Sequence, residues 1–444
     1  MPSTPSTPKS TRRERWAWYM YDFGNSAYAA VVLMAVYSTY FKDEVVGGAQ
    51  GSFLWGLSVG IAMLVVALTS PILGAIADFS GSKKRFLLFY TAMSCLFTVA
   101  LFFATEGAVL IGMTAFILAE IGYRSAQVFY NSLLPEIAAP EEIGRISGTG
   151  WAVGSAGGIV CLLLILPLIV IIEGTFIVRV SLVITAIYFV ISAIPLFLWL
   201  PERAQAQKLP EGETYLSVGL KQLRRTIRTA SRFREFLKFM LAFLIYNDGV
   251  IMALDFAAII GAVLYGMEQE MLILFVIVVQ VTNMIGAYVF GILTDRMGGK
   301  RALVFSLWMM IGLVVCLFFN QSQELYFVIG AGAGFAMAGL QSISRTMVGM
   351  FSPPGQSAEF YGFFSVAGRT SSFIGPAVYG IVAGLAARWY ESGGRTEDLA
   401  EQLGQRIAIL VIALFLLVGL ILLRFVDEAQ AQAAAVSAEE AGAV

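Results

Sequence analysis

The sequence predicts an all-α polytopic membrane protein, with twelve transmembrane helices arranged as two pseudo-symmetric six-helix bundles. Three observations carry this. Of 444 residues, 58% are hydrophobic and only 13% charged, against roughly 25% charged in an average soluble domain. Twelve segments approach the length of about 20 apolar residues that a bilayer crossing needs. The second six of these segments repeat polar features of the first six in the same order.

The segments fall near 16–41, 53–77, 86–105, 108–132, 147–172 and 176–200, then near 237–265, 271–294, 302–320, 325–350, 360–387 and 405–425. A disordered basic arm (1–15) precedes an N-terminal bundle (16–200). A cytoplasmic linker (201–236) joins it to a C-terminal bundle (237–425), and an Ala-rich acidic tail (426–444) is expected to be disordered. No small-residue cleavage site follows the arm, so the first segment is expected to remain as an anchor. In the linker, Leu216, Leu220, Leu223 and Ile227 recur at helical spacing opposite Lys221, Arg224, Arg225 and Arg228. This is the pattern of an amphipathic helix, suited to an anionic membrane face or to a solvated linker.

Charge sets the expected orientation. Of the 29 Lys and Arg, only Lys42, Arg388, Arg395 and Arg406 fall on the loops opposite the N-terminal side. Both termini are therefore expected in the cytoplasm, and the membrane is the inner one if the source is prokaryotic. Histidine is absent, which excludes imidazole proton relays, His metal sites and Ser-His triads. Cys95, Cys161 and Cys316 lie in three different apolar runs with no metal-ligand spacing. No phosphate-binding Gly-x-x-x-x-Gly-Lys-Ser/Thr loop occurs. No cofactor, nucleic acid or obligate protein partner is expected; the partners are the bilayer and a small solute.

The first segment holds Asp22, Asn25 and Ser26 within an otherwise apolar helix. An intramembrane carboxylate needs a partner or a water-filled cavity, and by default marks a functional site. The seventh segment carries the matching Tyr246-Asn247-Asp248-Gly249, with Asp255 two turns on. The fourth and tenth are also charged, through Glu120, Arg124, Gln127 and Asn131 in one and Gln341 and Arg345 in the other; Arg369 lies in the eleventh. After the second segment comes Gly74-Ala-Ile-Ala-Asp78-Phe-Ser-Gly81-Ser-Lys-Lys-Arg85, and after the eighth Gly291-Ile-Leu-Thr-Asp295-Arg-Met-Gly298-Gly-Lys-Arg301. Both read Gly-x-x-x-Asp-x-x-Gly followed by basic residues.

That paired loop resembles the signature of the major facilitator superfamily. Arg124-Ser-Ala-Gln127 resembles its fourth-helix motif in part, with Val128 where the motif has glycine. Tyr21-Asp22-Phe-Gly-Asn25-Ser26-Ala, Tyr246-Asn247-Asp248-Gly249, Gln341-Ser-Ile-Ser-Arg345 and Gly368-Arg369-Thr-Ser-Ser-Phe-Ile-Gly375-Pro376 resemble the Unknown Major Facilitator family. That family includes fungal vacuolar amino-acid effluxers tied to autophagy. The resemblance implies the major facilitator fold, with helices 1, 4, 7 and 10 lining a central path. It also implies that Gly74, Asp78, Gly81 and Arg85, and Gly291, Asp295, Gly298 and Arg301, act in gating. Asp78 is expected to meet a helix N-terminus of the opposite half, where free N–H groups favour an anion.

Within the path, Asp22 and Arg124 sit at similar depth and are expected to pair. Arg124 also stands four residues from Glu120, the spacing of a helical ion pair, and Asp248 and Asp255 are expected to face Arg345. Carboxylates and guanidiniums at opposite poles suit a zwitterion, because arginine takes a carboxylate in bidentate fashion. Asp22, Asn25, Ser26, Glu120, Arg124, Gln127, Asn131, Asn247, Asp248, Asp255, Gln341, Arg345 and Arg369 are the candidate substrate-binding or coupling residues. Protons are the candidate coupling ion, carried by a desolvated carboxylate. The expected function is secondary transport of an amino-acid-like solute by alternating access, with export favoured. The rivals are a carrier of a sugar or other organic metabolite, and a non-transporting membrane receptor or scaffold of the same fold.

Overall fold

In the computed structural model, residues 10–440 are described apart from 173, 205, 208, 210–211, 229–232 and 268, with some helical side chains, including those of 369–373, left out. All regular structure among the described residues is helical. The first half comprises α1 (Arg12–Tyr28), α2 (Tyr37–Tyr40), α3 (Gly48–Ser80), α4 (Lys83–Ala100), α5 (Val109–Ser132), α6 (Leu134–Ile137), α7 (Ile143–Ile172) and α8 (Thr175–Trp199). The linker forms α9 (Tyr215–Arg228). The second half comprises α10 (Arg234–Asp255), α11 (Ala257–Tyr265), α12 (Gln269–Met297), α13 (Gly299–Phe319), α14 (Gln323–Phe351), α15 (Ser357–Ser392) and α16 (Glu397–Arg424), followed by α17 (Glu428–Glu440). Among the described residues, ten helices are long and apolar enough to cross a membrane: α3, α4, α5, α7, α8, α10, α12, α13, α14 and α16. The first and eleventh expected crossings, the α1 region and α15, are helical but not among these ten.

Three expectations change. The first segment is not one continuous α-helix. It passes through π-helical turns at Ala29–Ala35 and Phe41–Val46. The Tyr37 and Tyr40 hydroxyls there bond to the carbonyls of Gly112 (3.0 Å) and Ala104 (2.9 Å), so tertiary hydrogen bonds hold the irregular stretch. The arm is ordered from Thr11, where Thr11 and Glu14 form a capping box. The tail, expected to be disordered, is α17. Glu428 accepts from the N–H groups of Gly299 (2.9 Å) and Lys300 (3.0 Å), and Ala431 and Ala435 are buried. Of the amphipathic face of α9, Leu216 and Leu220 are exposed; the side chains of Leu223, Arg225, Ile227 and Arg228 lie outside the described residues.

Each half has its own apolar packing. In the second, Phe239, Tyr246, Leu303 and Leu416 belong to one cluster. The first has a cluster around Trp18, Tyr21 and Tyr130, and another around Tyr37, Phe116 and Leu182. The halves meet where α3 packs on α15 and α7 packs on α12. Toward the end that carries the basic turns, glycine lets backbones touch: a Cβ on Gly74 would lie 2.4 Å from the Ala358 carbonyl, and one on Gly148 2.3 Å from that of Ala287. Toward the opposite end, a Cβ on Gly56 or Gly60 of α3, or on Gly380 or Gly384 of α15, meets nothing within 4 Å.

Candidate functional site

Two turns and one cavity hold most of the candidate residues. The first turn closes α3 with Gly81 at φ 58°, the left-handed conformation that ends a helix without strain only for glycine. One helical turn before it, Asp78 is buried and accepts from the N–H groups of Ala358 (3.2 Å) and Glu359 (2.9 Å), at the start of α15. The second turn has Gly298 at φ 87°. Asp295 accepts from the N–H groups of Gly144 (2.8 Å) and Arg145 (2.9 Å), at the start of α7. Each carboxylate thus meets the positive end of a helix in the other half. Gly74 and Gly291 supply the close approach behind them, with a Cβ on Gly291 reaching within 2.8 Å of the Gly144 carbonyl.

The basic residue at the first turn is corrected. Arg85 is exposed, and Lys83 is the buried cation. Its ammonium lies 3.1 Å from Asp78 and 2.7 Å from Glu136, and donates to the Ser357 hydroxyl at 2.7 Å. Arg301 is likewise exposed at the second turn.

The cavity lies between the halves, about 390 Å³ in volume, at the lower end of the roughly 300–1,000 Å³ usual for small-molecule sites. Asp22, Arg124, Gln127, Asn131, Asn247, Gln341 and Arg345 all line it. Arg124 donates through Nε to Glu120 at 2.6 Å and stands 5.0 Å from the Tyr123 ring centroid. Glu120 is wholly buried behind it. Gln127 donates to the Tyr123 hydroxyl (3.1 Å) and Gln341 to the Asn247 carbonyl oxygen (2.9 Å).

The Arg124–Glu120 pair is present as expected, but the pairings across helices differ from the expected ones. Asp22 faces Arg345 at 3.7 Å rather than Arg124. Arg345 turns into the first half, donating to the Ser147 hydroxyl (3.0 Å) and the Ser147 carbonyl. Asp248 does not face it: it accepts from the Gly375 N–H at 2.9 Å, in the packing of α10 on α15, and its other oxygen is buried without a hydrogen bond. Asp255 is exposed at the end of α10 and does not line the cavity. Asn25 is buried, and Ser26 packs toward Gly154 on α7, so neither lines the cavity. The side chain of Arg369 lies outside the described residues.

Sequence reasoning missed the surround of Arg345. Its guanidinium lies 5.3 Å from the Trp18 ring centroid and 5.5 Å from that of Trp151, within cation–π range. Trp151 in turn donates to Asn283 at 3.2 Å. The available signals were a large aromatic inside the glycine-rich start of α7 and an isolated amide in the apolar α12.

A helical membrane protein with matching turns in two halves and a polar cavity between them has the architecture of a major facilitator superfamily transporter. Solved structures agree on the fold. A bacterial homologue of the iron transporter ferroportin, in an outward-facing state, superposes with a TM-score of 0.70 at 12% identity, covering 93% of this chain and 99% of that one. The E. coli fucose:proton symporter gives 0.67 at 14% identity, covering 94% and 98%. Residues 49–436 match the family model described as vacuole effluxer Atg22 like, and the chain belongs to that family. An uncharacterized MFS-type transporter, YxiO of Bacillus subtilis, is 25% identical over 431 residues, covering 94% of this chain and 95% of that protein. Autophagy-related protein 22-1 of Penicillium rubens is 25% identical over 318 residues, and the match spans 66% of this chain but about half (51%) of that longer protein.

Proposed function

We propose that this transporter moves a small zwitterionic solute of the amino-acid type by alternating access, with efflux favoured and protons as coupling ion. One observation carries the reading above the others: Arg124 and Asp22, of opposite charge and on different helices, line the same small cavity. Arg124 uses Nε for Glu120, and no bond from its terminal nitrogens is seen among the described residues. Those nitrogens form the fork that takes a carboxylate. Asp22, at the longer distance of 3.7 Å from Arg345, takes the ammonium. Asn131, Asn247 and Gln127 supply neutral polar contacts. Asp248, buried with one oxygen free of hydrogen bonds, is the proposed proton carrier.

The two acid-to-helix contacts are proposed as the gates of one end, and by the distribution of Lys and Arg that end faces the cytoplasm. With both contacts made, and with open space around Gly56, Gly60, Gly380 and Gly384 at the other end, the conformation reads as outward-open. Transport then requires both contacts to break as one half rocks on the other. The family's description as vacuole effluxers supports efflux of a metabolite.

The test is counterflow of labelled L-amino acids in proteoliposomes. Arg124→Gln is expected to reduce it about ten- to a hundredfold, the worth of a lost charge-assisted hydrogen bond. Unchanged counterflow in this variant and in Asp22→Asn would overturn the zwitterion site and leave the sugar or metabolite carrier as the better reading.

A further inference from the structure

The two cavity arginines differ in what they touch. Arg124 is held within its own helix by Glu120. Arg345 sits on α14, in the second half, yet among the described residues its guanidinium bonds and stacks with the first half: Ser147 and Trp151 on α7, Asp22 and Trp18 on α1. The residue is almost fully buried. Ser147 also donates through its hydroxyl to the Ser342 carbonyl at 3.2 Å, which ties the same point of α7 to α14 a second time. Of these partners only Asp22 carries a charge. A guanidinium buried this deeply is tolerable while that carboxylate is ionised and unoccupied.

We infer that Arg345 is a charge-dependent latch between the two halves, and that occupancy of Asp22 by the solute's ammonium group releases it. The inference rests on the zwitterion reading for the releasing ligand, though not for the latch itself. An ammonium on Asp22 takes up the only counter-charge that Arg345 has among the described residues. Arg345 is then left buried among neutral groups, and the arrangement that buries it across the interface loses stability relative to one in which the halves part. The solute's carboxylate is held by Arg124, so it does not replace the lost counter-charge. The same solute that fills the cavity thereby weakens the contact that closes the cavity toward the basic turns. By reciprocity, any change that opens that side strengthens ammonium binding at Asp22 by the same factor. Arg345 is thus a positioning residue, acting on transport through the interface rather than as a ligand.

The test reads conformation directly. Spin labels are placed at Arg85→Cys and Arg301→Cys, exposed positions at the basic turns of the two halves, with Cys95, Cys161 and Cys316 replaced by alanine. The interlabel distance is measured by double electron–electron resonance in lipid nanodiscs, without solute. The parent is expected to give one dominant short distance. Asp22→Asn should enrich a longer-distance population about tenfold, within the usual range of a coupling between sites. The neutral double variant Asp22→Asn/Arg345→Gln strands no charge, which guards against misfolding of Arg345→Gln alone. It should open to no greater extent than the more open of the two single variants, because both remove one interaction. An unchanged distance in Asp22→Asn, or effects of the two substitutions that multiply as independent ones, would overturn the latch. L-alanine and L-leucine added to the parent should mimic Asp22→Asn. If the substitution opens the molecule and neither amino acid does, the latch stands and the zwitterion reading fails.

Discussion

The two acid-to-helix contacts at the basic end are built to the same plan and differ in one residue. In both, a carboxylate one helical turn before a glycine of positive φ caps a helix of the opposite half. At the first, Lys83 adds a buried ammonium shared among Asp78, Glu136 and Ser357. At the second, the turn is one residue shorter between its aspartate and the paired Lys-Arg, and Gly299 precedes that pair where the first turn has Lys83. Asp295 therefore depends on backbone N–H groups and partial exposure. One contact is a buried ionic network, costly to break once any member is missing. The other is an anion on a helix end, held by the dipole and screened by solvent. Identical motifs thus give unequal locks, and the inequality is testable.

The largest effect is expected from Lys83→Met. It leaves Asp78 buried without its cation, and removing one member of a buried pair costs about 3–5 kcal/mol. The thermal unfolding midpoint in detergent should fall further than for any other substitution at either turn. Adding Asp78→Asn should recover part of that loss, because the stranded charge is gone; a further additive loss would show that the ammonium and the carboxylate act separately. Next comes the direct comparison of Asp78→Asn with Asp295→Asn. The first strands Lys83 with Glu136 alone, whereas the second strands nothing and loses about 1 kcal/mol of hydrogen bonding. Asp295→Asn should therefore lower the midpoint by clearly less. Equal losses would mean that the lysine contributes nothing to the first lock.

Much of this was legible in the sequence, and the gaps have physical causes. The membrane class follows from apolar length, and the repeat from Gly-x-x-x-Asp-x-x-Gly standing twice in register. The acids were legible because a carboxylate just before such a glycine has few roles beyond meeting a helix end. Which of Lys83, Lys84 and Arg85 turns inward was not legible: neighbouring residues differ by 100° of helix phase, and the phase is fixed by where α4 begins after the turn. The partner of Asp22 was missed for another reason. Depth along the bilayer places both Arg124 and Arg345 near it, and only the packing of α14 against α7, which carries Arg345 to Asp22 and Trp18, decides between them. The tail was misread because an Ala-rich acidic stretch looks solvated until Glu428 is seen to have a helix N-terminus to cap.

That cap yields the smallest and most discriminating prediction. Each half ends its last long helix with an acid that caps the helix after its turn. Glu202 accepts from the Lys84 N–H at 2.9 Å, and Glu428 accepts from those of Gly299 and Lys300. Lys84 and Lys300 repeat the symmetry with their side chains, donating to carbonyls at the ends of α8 and α16: Lys84 to Phe197 and Leu200, Lys300 to Arg424 and Val426. Losing a cap costs about 1 kcal/mol, so Glu428→Gln should lower the unfolding midpoint by a small, measurable amount. Glu202→Gln should cost less, since it gives up one N–H contact rather than two. Burial also pushes the Glu202 carboxyl above the usual range, against the opposing pull of the Lys84 N–H. A carboxyl raised in the folded state binds protons more tightly there than in the unfolded chain, so its ionisation disfavours folding as pH rises through the raised value. The wild-type protein should therefore gain stability relative to Glu202→Gln as pH is lowered from mildly alkaline toward the carboxylate range. A difference that stays flat, or that moves the other way, would show that the helix end stabilises the Glu202 carboxylate fully despite its burial.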